Sequence, residues 1–280
     1  MCSTYESING KSMTEQQIKL YMDRLETERP EKPDLKSLTE LQRAHICHIP
    51  FENLDIIEGI PISLDREALF EKIIIRKRGG VCSELNTLYN WLLESVGYSP
   101  VSYMSRIIAK TAPVQHKSHR IMAVCINGEK YITDVGFNYE HHRIPVKLEE
   151  GIVQDDGECR YRFTRDDVFG WILWQDRPAM GWRKKISFTE DPCIDIDLIP
   201  ATFYAENHKN SAINKFAKVS LHIDGTFYAI RSGQFLKETG GVEHLIERLD
   251  SKDREDEILR EVFSLTNEIS GYTEDIQKEK

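Results

Sequence analysis

The residues best suited to chemistry lie in a stretch where a cysteine follows two glycines and precedes an amphipathic run. The stretch spans residues 78–86 and reads R-G-G-V-C-S-E-L-N. If a helix begins at Cys82, the thiol lies in the first turn, where unpaired backbone N–H groups and the helix dipole favour an anion. Gly79 and Gly80 permit a close backbone approach that a Cβ atom would obstruct. The stretch therefore predicts a cysteine nucleophile at the start of a helix.

A base for that thiol is predicted on a β-hairpin in the middle of the chain. Asn127-Gly128 separates two alternating apolar runs, which is the strongest short-range signal for a two-residue hairpin turn. In that register Asp134 faces Ile121, and His119 faces Gly136, whose missing side chain leaves room for the imidazole. His119 and Asp134 then lie diagonally on one face, about 7–8 Å apart between backbones, within reach of a His–Asp pair. A one-residue slip would put them on opposite faces, so the prediction depends on the turn.

The elements that position these residues follow one another in three parts. Residues 1–98 have helical spacing, residues 99–204 have short alternating runs broken by turn residues, and residues 205–280 mix both patterns. Asp224-Gly225 marks a second hairpin, and the charged amphipathic pattern from Val242 to about Leu265 predicts a helix. The fold class is therefore α+β.

Charge and composition exclude several classes of function. The net charge is -9 with a pI near 5.6, which argues against a nucleic-acid partner because such binding needs a clustered basic surface. The N-terminal residues lack the apolar core of a signal peptide, and no apolar run approaches the about 18 residues that span a bilayer. We therefore expect a cytoplasmic protein without a membrane partner; the sequence predicts no oligomeric state.

The cysteines and histidines outside these stretches predict no metal site. Six cysteines are scattered without C-x-x-C spacing, which indicates neither a zinc site nor a disulfide framework. The pairs His45 with His48 and His141 with His142 have no suitably placed third ligand. Taken alone, each reactive residue also has an ordinary structural explanation. Taken together, Cys82, His119 and Asp134 indicate Cys–His–Asp chemistry, which papain-like or transglutaminase-like hydrolases and transamidases also use.

Three blocks resemble the arylamine N-acetyltransferase family. H-I-C-H-I-P-F-E-N-L-D at 45–55 resembles its H-x-x-x-I-P-F-E-N-L block, and the stretch at 78–86 resembles its R-G-G-x-C-x-E-x-N cysteine motif. T-D-V-G-F at 133–137 resembles its D-V/A-G-F block, and His119 precedes the aspartate at the family's interval. The resemblance extends over about residues 14–270. It implies a helical bundle, a β-barrel-like middle domain and a C-terminal α/β lid around a cysteine-protease-like core.

The resemblance also implies an activity, with acetyl-CoA as cosubstrate and no metal. Cys82 is expected to take the acetyl group in a ping-pong cycle and pass it to an arylamine or arylhydrazine, as in xenobiotic metabolism. His119 would be general base and acid, and Asp134 would orient it. The resemblance further implies contacts with the acceptor and with CoA. Acceptor contacts are expected at Phe51 and Phe137, and CoA contacts at Gly136, Tyr204 and Ser211.

Two departures from the family pattern concern the donor site. Asn138 replaces the glycine that usually follows D-V-G-F, and its side chain would narrow the cleft. Residues 202–212 keep Tyr204 and Ser211 but lose a Ser-Thr pair and a proline, and Glu206 adds a negative charge where phosphates would lie. The altered stretch at 202–212 favours a second alternative, a weak or catalytically silent homologue that serves as a binding module. Arg78 and Glu52 are expected to pair as a scaffold for the cysteine loop.

Overall fold

A computed structural model describes residues 11–108, 115–137, 142–178, 180–239 and 241–265. Within these ranges, short helices precede a large antiparallel sheet and a smaller second sheet follows. The helices are α1 (Glu15–Leu25), α2 (Leu35–His48), α3 (Leu54–Ile57), α4 (Arg66–Phe70), α5 (Cys82–Ser95), α6 (Ile199–Asn207) and α7 (Lys252–Glu261). The strands are β1 (Phe51–Glu52), β2 (Val101–Ile107), β3 (His119–Ile126), β4 (Glu129–Thr133), β5 (Val146–Lys147), β6 (Gln154–Asp155), β7 (Arg160–Asp166), β8 (Gly170–Arg177), β9 (Gly181–Cys193), β10 (Lys218–Ile223), β11 (Thr226–Arg231), β12 (Gln234–Thr239) and β13 (Val242–Arg248).

The N-terminal helices begin where side chains cap them. Thr14 accepts a hydrogen bond from the backbone N–H of Gln17, whose side chain bonds back to the Thr14 backbone, and Asp34 caps α2 through Ser37. After α4 the chain continues through one π-helical turn, Glu71–Ile75. The apolar faces of these helices surround α5, most of whose residues are buried. The helix that presents the cysteine is therefore held on nearly all sides.

The large sheet curls into a nearly closed barrel. Its strand order is β5-β4-β3-β2-β9-β8-β7-β6. The two edges approach one another, since Gln154 on β6 exchanges two hydrogen bonds with the backbone of Lys147 on β5. A bridge between Glu150 and Phe163 adds a further link. This is the β-barrel-like middle domain expected from the resemblance.

The register of the β3–β4 hairpin is the one that its turn predicts. Met122 pairs with Thr133 and Ile126 with Glu129. Asn127 and Gly128 both have positive φ, as a two-residue type I′ turn requires. Residues 119 and 134 therefore share one face of the hairpin.

The second sheet connects the N-terminal helical region to the C-terminal part of the chain. Its order is β1-β10-β11-β12-β13, so the P-F-E block of the helical region adds a strand to the C-terminal part. The helix predicted from Val242 to about Leu265 is wrong over its first third, because residues 242–248 pair with β12 as a strand. Only α7 is helical, over Lys252–Glu261. The α+β class is confirmed.

Candidate active site

Cys82 is the first residue of α5 and is only partly buried. The preceding residue, Val81, is the N-cap, and its backbone N–H donates to Oε2 of Glu84 at 2.9 Å. The carboxylate therefore takes one of the free N–H groups at the start of the helix. The first-turn N–H groups next to the thiol carry the positive end of the helix dipole.

The two glycines before the cysteine are required by close packing rather than by an unusual backbone angle. A Cβ atom on Gly79 would lie 2.1 Å from the carbonyl oxygen of Pro50, and one on Gly80 would lie 2.8 Å from Oε2 of Glu84. Gly80 also forms a parallel bridge with Phe51, and its carbonyl accepts from the N–H of Glu52 at 3.0 Å. The P-F-E and R-G-G blocks are therefore in direct contact.

A buried network of ion pairs holds the loop before Cys82, residues 78–81, in position. Arg78 contacts Glu52 at 2.9 Å and Asp55 at 2.8 Å, which is the pairing with Glu52 that the sequence predicts. Lys72, from the π-helical turn, contacts Asp55 at 2.7 Å and Glu84 at 2.8 Å. Burial alone would lower the pKa of Lys72, but the charges of Glu84, Glu52 and Asp55 outweigh burial and raise it. The network keeps Glu84 in position at the N-cap.

His119 and Asp134 form a buried pair on the hairpin face. Nε2 of His119 lies 2.6 Å from Oδ2 of Asp134, and each side chain is 1% exposed. Nδ1 of His119 has no hydrogen-bond partner among the described residues. The imidazole is thus oriented by the carboxylate on one side and has its second nitrogen available on the other.

The charges of the pair stabilise one another. Burial would lower the pKa of His119, but Asp134, through its charge and its hydrogen bond, and the nearby Cys82 outweigh burial and raise it. Burial would raise the pKa of Asp134, but the charge and hydrogen bond of His119 hold it below its ordinary value. The charged forms, imidazolium and carboxylate, are therefore favoured at neutral pH.

Asn86 connects the cysteine helix to that pair. Its Nδ2 donates to Oδ1 of Asp134 at 2.8 Å and to the carbonyl of Arg120 at 2.7 Å, while its Oδ1 accepts from the N–H of Val135 at 3.0 Å. Sequence reasoning did not assign Asn86 a role, although its position four residues after Cys82 places both on one helix face. One side chain thus fixes the carboxylate relative to the thiol.

Arg120 is a second residue that sequence reasoning missed. It follows His119 on β3, so its side chain points to the opposite face of the sheet. The guanidinium is 1% exposed and bonds Ser102, Thr87 and Asp195. It joins α5, β2 and the segment before α6 behind the histidine. The alternation of side chains along β3 could have shown which face Arg120 lies on. It could not have shown the partners of Arg120, because they are distant in sequence.

The two phenylalanines predicted to line the acceptor cleft have different surroundings. The ring of Phe137 contacts the ring of His119 edge-on at 5.2 Å between centroids, so Phe137 lies at the site. Phe51 is 4% exposed and belongs to the core of the helical region. A direct contact between Phe51 and an acceptor stays a prediction.

The three residues predicted to contact CoA each have contacts within the protein. A Cβ on Gly136 would lie 2.8 Å from Cα of Cys82, so the space beside this glycine holds the start of α5 rather than the histidine ring, for which the sequence predicted room. Ser211 is buried, and its hydroxyl donates to the carbonyl of Ala205 at 2.7 Å. Tyr204 lies on α6 and packs against the rings of His116 and His208.

The structure describes one of the two departures from the family pattern, the stretch at residues 202–212. Glu206 accepts a hydrogen bond from the backbone N–H of Ile62 at 2.5 Å, which connects α6 to the loop before α4. Its carboxylate therefore has a structural partner. Asn138 lies outside the described residues. CoA contacts at Gly136, Tyr204 and Ser211 stay predictions.

No metal-binding cluster of three or more His, Cys, Asp or Glu side chains occurs in the described part of the chain. The described cysteines, including Cys82, are not in disulfides. No described helix is long and apolar enough to cross a membrane.

The fold and this arrangement define a class, namely α+β proteins with a thiol, an imidazole and a carboxylate grouped at a helix start. Comparison with known proteins identifies the family. Residues 34–270 match the N-acetyltransferase family. An arylamine N-acetyltransferase of Mycolicibacterium smegmatis is 33% identical over 238 residues, covering 82% of this chain and 85% of that protein. A Salmonella typhimurium relative, named arylamine N-acetyltransferase / N-hydroxyarylamine O-acetyltransferase, is 30% identical over 260 residues, 91% of each chain.

A solved structure agrees with these relatives. The Mycobacterium marinum arylamine N-acetyltransferase in complex with CoA has a TM-score of 0.82 at 27% identity, covering 89% of this chain and 92% of that one. The chain therefore belongs to the N-acetyltransferase family and is an acyltransferase of the arylamine N-acetyltransferase type. This assignment disfavours the hydrolase alternative.

Proposed function

We propose that this enzyme transfers an acetyl group from acetyl-CoA to an aromatic amine through an acetyl-cysteine intermediate on Cys82. The observation that carries the proposal is the contact between His119 and Asp134 beside the start of the cysteine helix. The relatives support the substrates, because they are arylamine N-acetyltransferases and one of them is solved with CoA. The well-formed pair disfavours the silent homologue.

In the first half-reaction the Cys82 thiolate attacks the carbonyl carbon of the acetyl thioester. The new C–S bond forms as the bond to CoA sulfur breaks, and the CoA thiolate takes a proton from the His119 imidazolium. The negative carbonyl oxygen that develops lies at the N-terminus of α5, where backbone N–H groups stabilise it. Asp134 holds the imidazolium in position and balances its charge.

In the second half-reaction the amine attacks the acetyl carbon on Cys82. The C–N bond forms, the bond to Cys82 sulfur breaks, and the now neutral His119 takes the proton that the amine loses. Acetylation of Cys82 also favours the neutral form of His119 that this step needs. Because Cys82 raises the pKa of His119, removing the thiolate charge lowers that pKa and makes the neutral base easier to form. The same histidine thus serves as acid first and as base second.

Intact-mass spectrometry tests the intermediate directly. Protein incubated with acetyl-CoA alone is expected to gain the mass of one acetyl group, and adding an arylamine is expected to remove it. Peptide mapping is expected to place the group on Cys82. Cys82→Ser is expected to abolish both the adduct and amine-dependent CoA release, because an alcohol in place of the thiol is a far weaker nucleophile at neutral pH.

Cys47→Ser is the matched control, since Cys47 is also partly buried but lies on α2. It is expected to keep the adduct. Amine acetylation without any enzyme adduct, or activity in Cys82→Ser equal to that of the wild type, would contradict the mechanism. CoA release that ignores the amine would instead favour a hydrolase.

A further inference from the structure

His142 is a buried histidine near the pair that the proposed mechanism does not use. It is 5% exposed, and its Nε2 has no hydrogen-bond partner among the described residues. Its backbone is fixed, because Nε2 of Gln42 donates to the His142 carbonyl at 2.5 Å and Oε1 of Gln42 accepts from Thr133 at 2.6 Å. A buried polar atom without a hydrogen-bond partner lowers the stability of the folded protein, so it indicates that another group binds there.

The imidazole of His142 lines a small pocket directly beside the catalytic pair. Asp134, Phe137, Gln175 and Lys185 also line the pocket, together with the apolar side chains of Leu173 and Ile186. The pocket has room for about one water molecule. It therefore fits one polar substituent of one heavy atom, such as a hydroxyl group, but not a whole ring.

Phe137 connects this pocket to the pair. Its ring contacts His119 edge-on, and Nζ of Lys185 lies 4.9 Å from the centre of the same ring. An aromatic acceptor that packed along Phe137 with its amine toward His119 would have its far end toward this pocket, because Phe137 both contacts His119 and lines the pocket. Burial lowers the pKa of His142, so the imidazole is mainly neutral at pH 7 and can either donate or accept a hydrogen bond.

We propose that His142 determines acceptor specificity by hydrogen-bonding, through Nε2, a hydroxyl group on the ring of a single-ring arylamine. This inference rests on the proposed function, since it names the class of amine that the same site prefers. His142 acts on the substrate only at the end remote from the reacting nitrogen. Its loss should therefore change the choice between amines and leave the chemistry intact.

The test compares 4-aminophenol with 4-methylaniline, whose methyl group has nearly the shape of the hydroxyl. N-Acetylated product is measured for both amines with the wild type, His142→Phe and His142→Gln. In His142→Phe the preference, expressed as the ratio of kcat/KM for the two amines, is expected to fall about tenfold. The kcat/KM for 4-methylaniline is expected to change less than about twofold. His142→Gln keeps a donor and an acceptor and is expected to retain most of the preference.

Two results would overturn the inference. One is an unchanged ratio in His142→Phe, and the other is an equal fall for both amines, which indicates a structural role. If His142→Phe does not fold, as judged by thermal unfolding, an unchanged preference ratio in His142→Ala serves as the contradicting outcome. The acetyl adduct on Cys82 is measured first in every variant. Its absence from the wild type contradicts the proposed function, whereas a normal adduct with an unchanged ratio contradicts this inference alone.

Discussion

Two hairpins of this protein have the same turn and different surroundings. The β3–β4 hairpin turns at Asn127-Gly128 with φ values of 52° and 81°, and the β10–β11 hairpin turns at Asp224-Gly225 with φ values of 49° and 75°. Along β3 every residue except Cys125 is buried. The sheet that contains β10 and β11 becomes more exposed toward its edge, where β13 is almost wholly exposed.

The difference indicates what holds the His119–Asp134 pair in position. β3 is covered by α5 on one side and by the barrel interior on the other, so each polar side chain there must have a partner. Nε2 of His119, the guanidinium of Arg120 and the carboxylate of Asp134 satisfy that demand with hydrogen bonds that also fix their positions. The exposed edge of the second sheet imposes no such demand, since water satisfies the polar groups of β13. The side chains with the most fixed positions therefore lie on the β3–β4 hairpin, which is covered on both faces.

The largest expected difference between the two hairpins concerns an aspartate in each. Asp134→Asn is expected to lower kcat by about 10³- to 10⁴-fold, because the amide neither stabilises the imidazolium nor holds the same tautomer. Asp224→Asn changes the same atoms at a turn position that tolerates asparagine, and activity is expected to stay within about twofold. Steady-state acetylation of 4-methylaniline measures both. A small loss in Asp134→Asn would show that position alone, without charge, orients His119.

Stability should follow the same contrast. Ile121→Ala removes a side chain that is 0% exposed on β3 and is expected to lower the free energy of unfolding by about 2–5 kcal/mol. Leu245→Ala removes one that is 49% exposed on β13 and is expected to cost less than about 0.5 kcal/mol. Urea unfolding followed by circular dichroism measures both. Equal costs would indicate that another molecule covers β13 in solution.

Asn86 tests how far positioning alone contributes. Asn86→Ala keeps Cys82, His119 and Asp134 but removes one hydrogen bond to Asp134, and kcat is expected to fall about 100-fold because a small misplacement of reacting groups slows the reaction. Asn214 is the control from the C-terminal part, where its Nδ2 donates to the carbonyls of Glu206 and His208. Asn214→Ala is expected to leave kcat within about twofold. A fall in KM and kcat by the same factor in Asn86→Ala would argue against a positioning role.

The charge of the pair predicts a pH dependence of stability. The pKa of His119 is raised in the folded protein, so its contribution is fully present below the unfolded value near pH 6.5 and is lost as pH rises toward the folded value. The stability difference between the wild type and His119→Gln should therefore shrink above pH 6.5, by up to about 1.4 kcal/mol per pH unit. Urea unfolding from pH 6 to 9 measures it. If the stability difference between the wild type and His119→Gln grew as the pH rose, the prediction would be wrong.

Local signals allowed much of the site to be predicted from sequence. The Asn127-Gly128 turn determines its own register, and that register alone places His119 and Asp134 on one face. The start of α5 at Cys82 and the pairing of Arg78 with Glu52 also agree with prediction. These features depend on residues close in sequence or within recognised motif blocks.

The features that were missed depend on distant pairing. Val242, Leu245 and Ile246 have the spacing of a helix face, yet hydrogen bonding to β12 makes them a strand. Lys72 gave no sequence signal, because its partners Asp55 and Glu84 come from separate elements. The bonds of Arg120 to Thr87 and Asp195 are unpredictable for the same reason.

The single helical turn from Cys82 to Asn86 also limits how this protein can change in length. Each residue rotates a helix by about 100°, so one residue inserted between these positions would rotate the Cys82 side chain relative to the Asn86 amide, and both could no longer face the His119–Asp134 pair. The turn at Asp224-Gly225 has no such dependence, since the strands on either side of it carry no catalytic group. Insertions and deletions should therefore be tolerated at that turn and selected against between residues 82 and 86. A change of chain length should therefore be least tolerated within the five residues from Cys82 to Asn86.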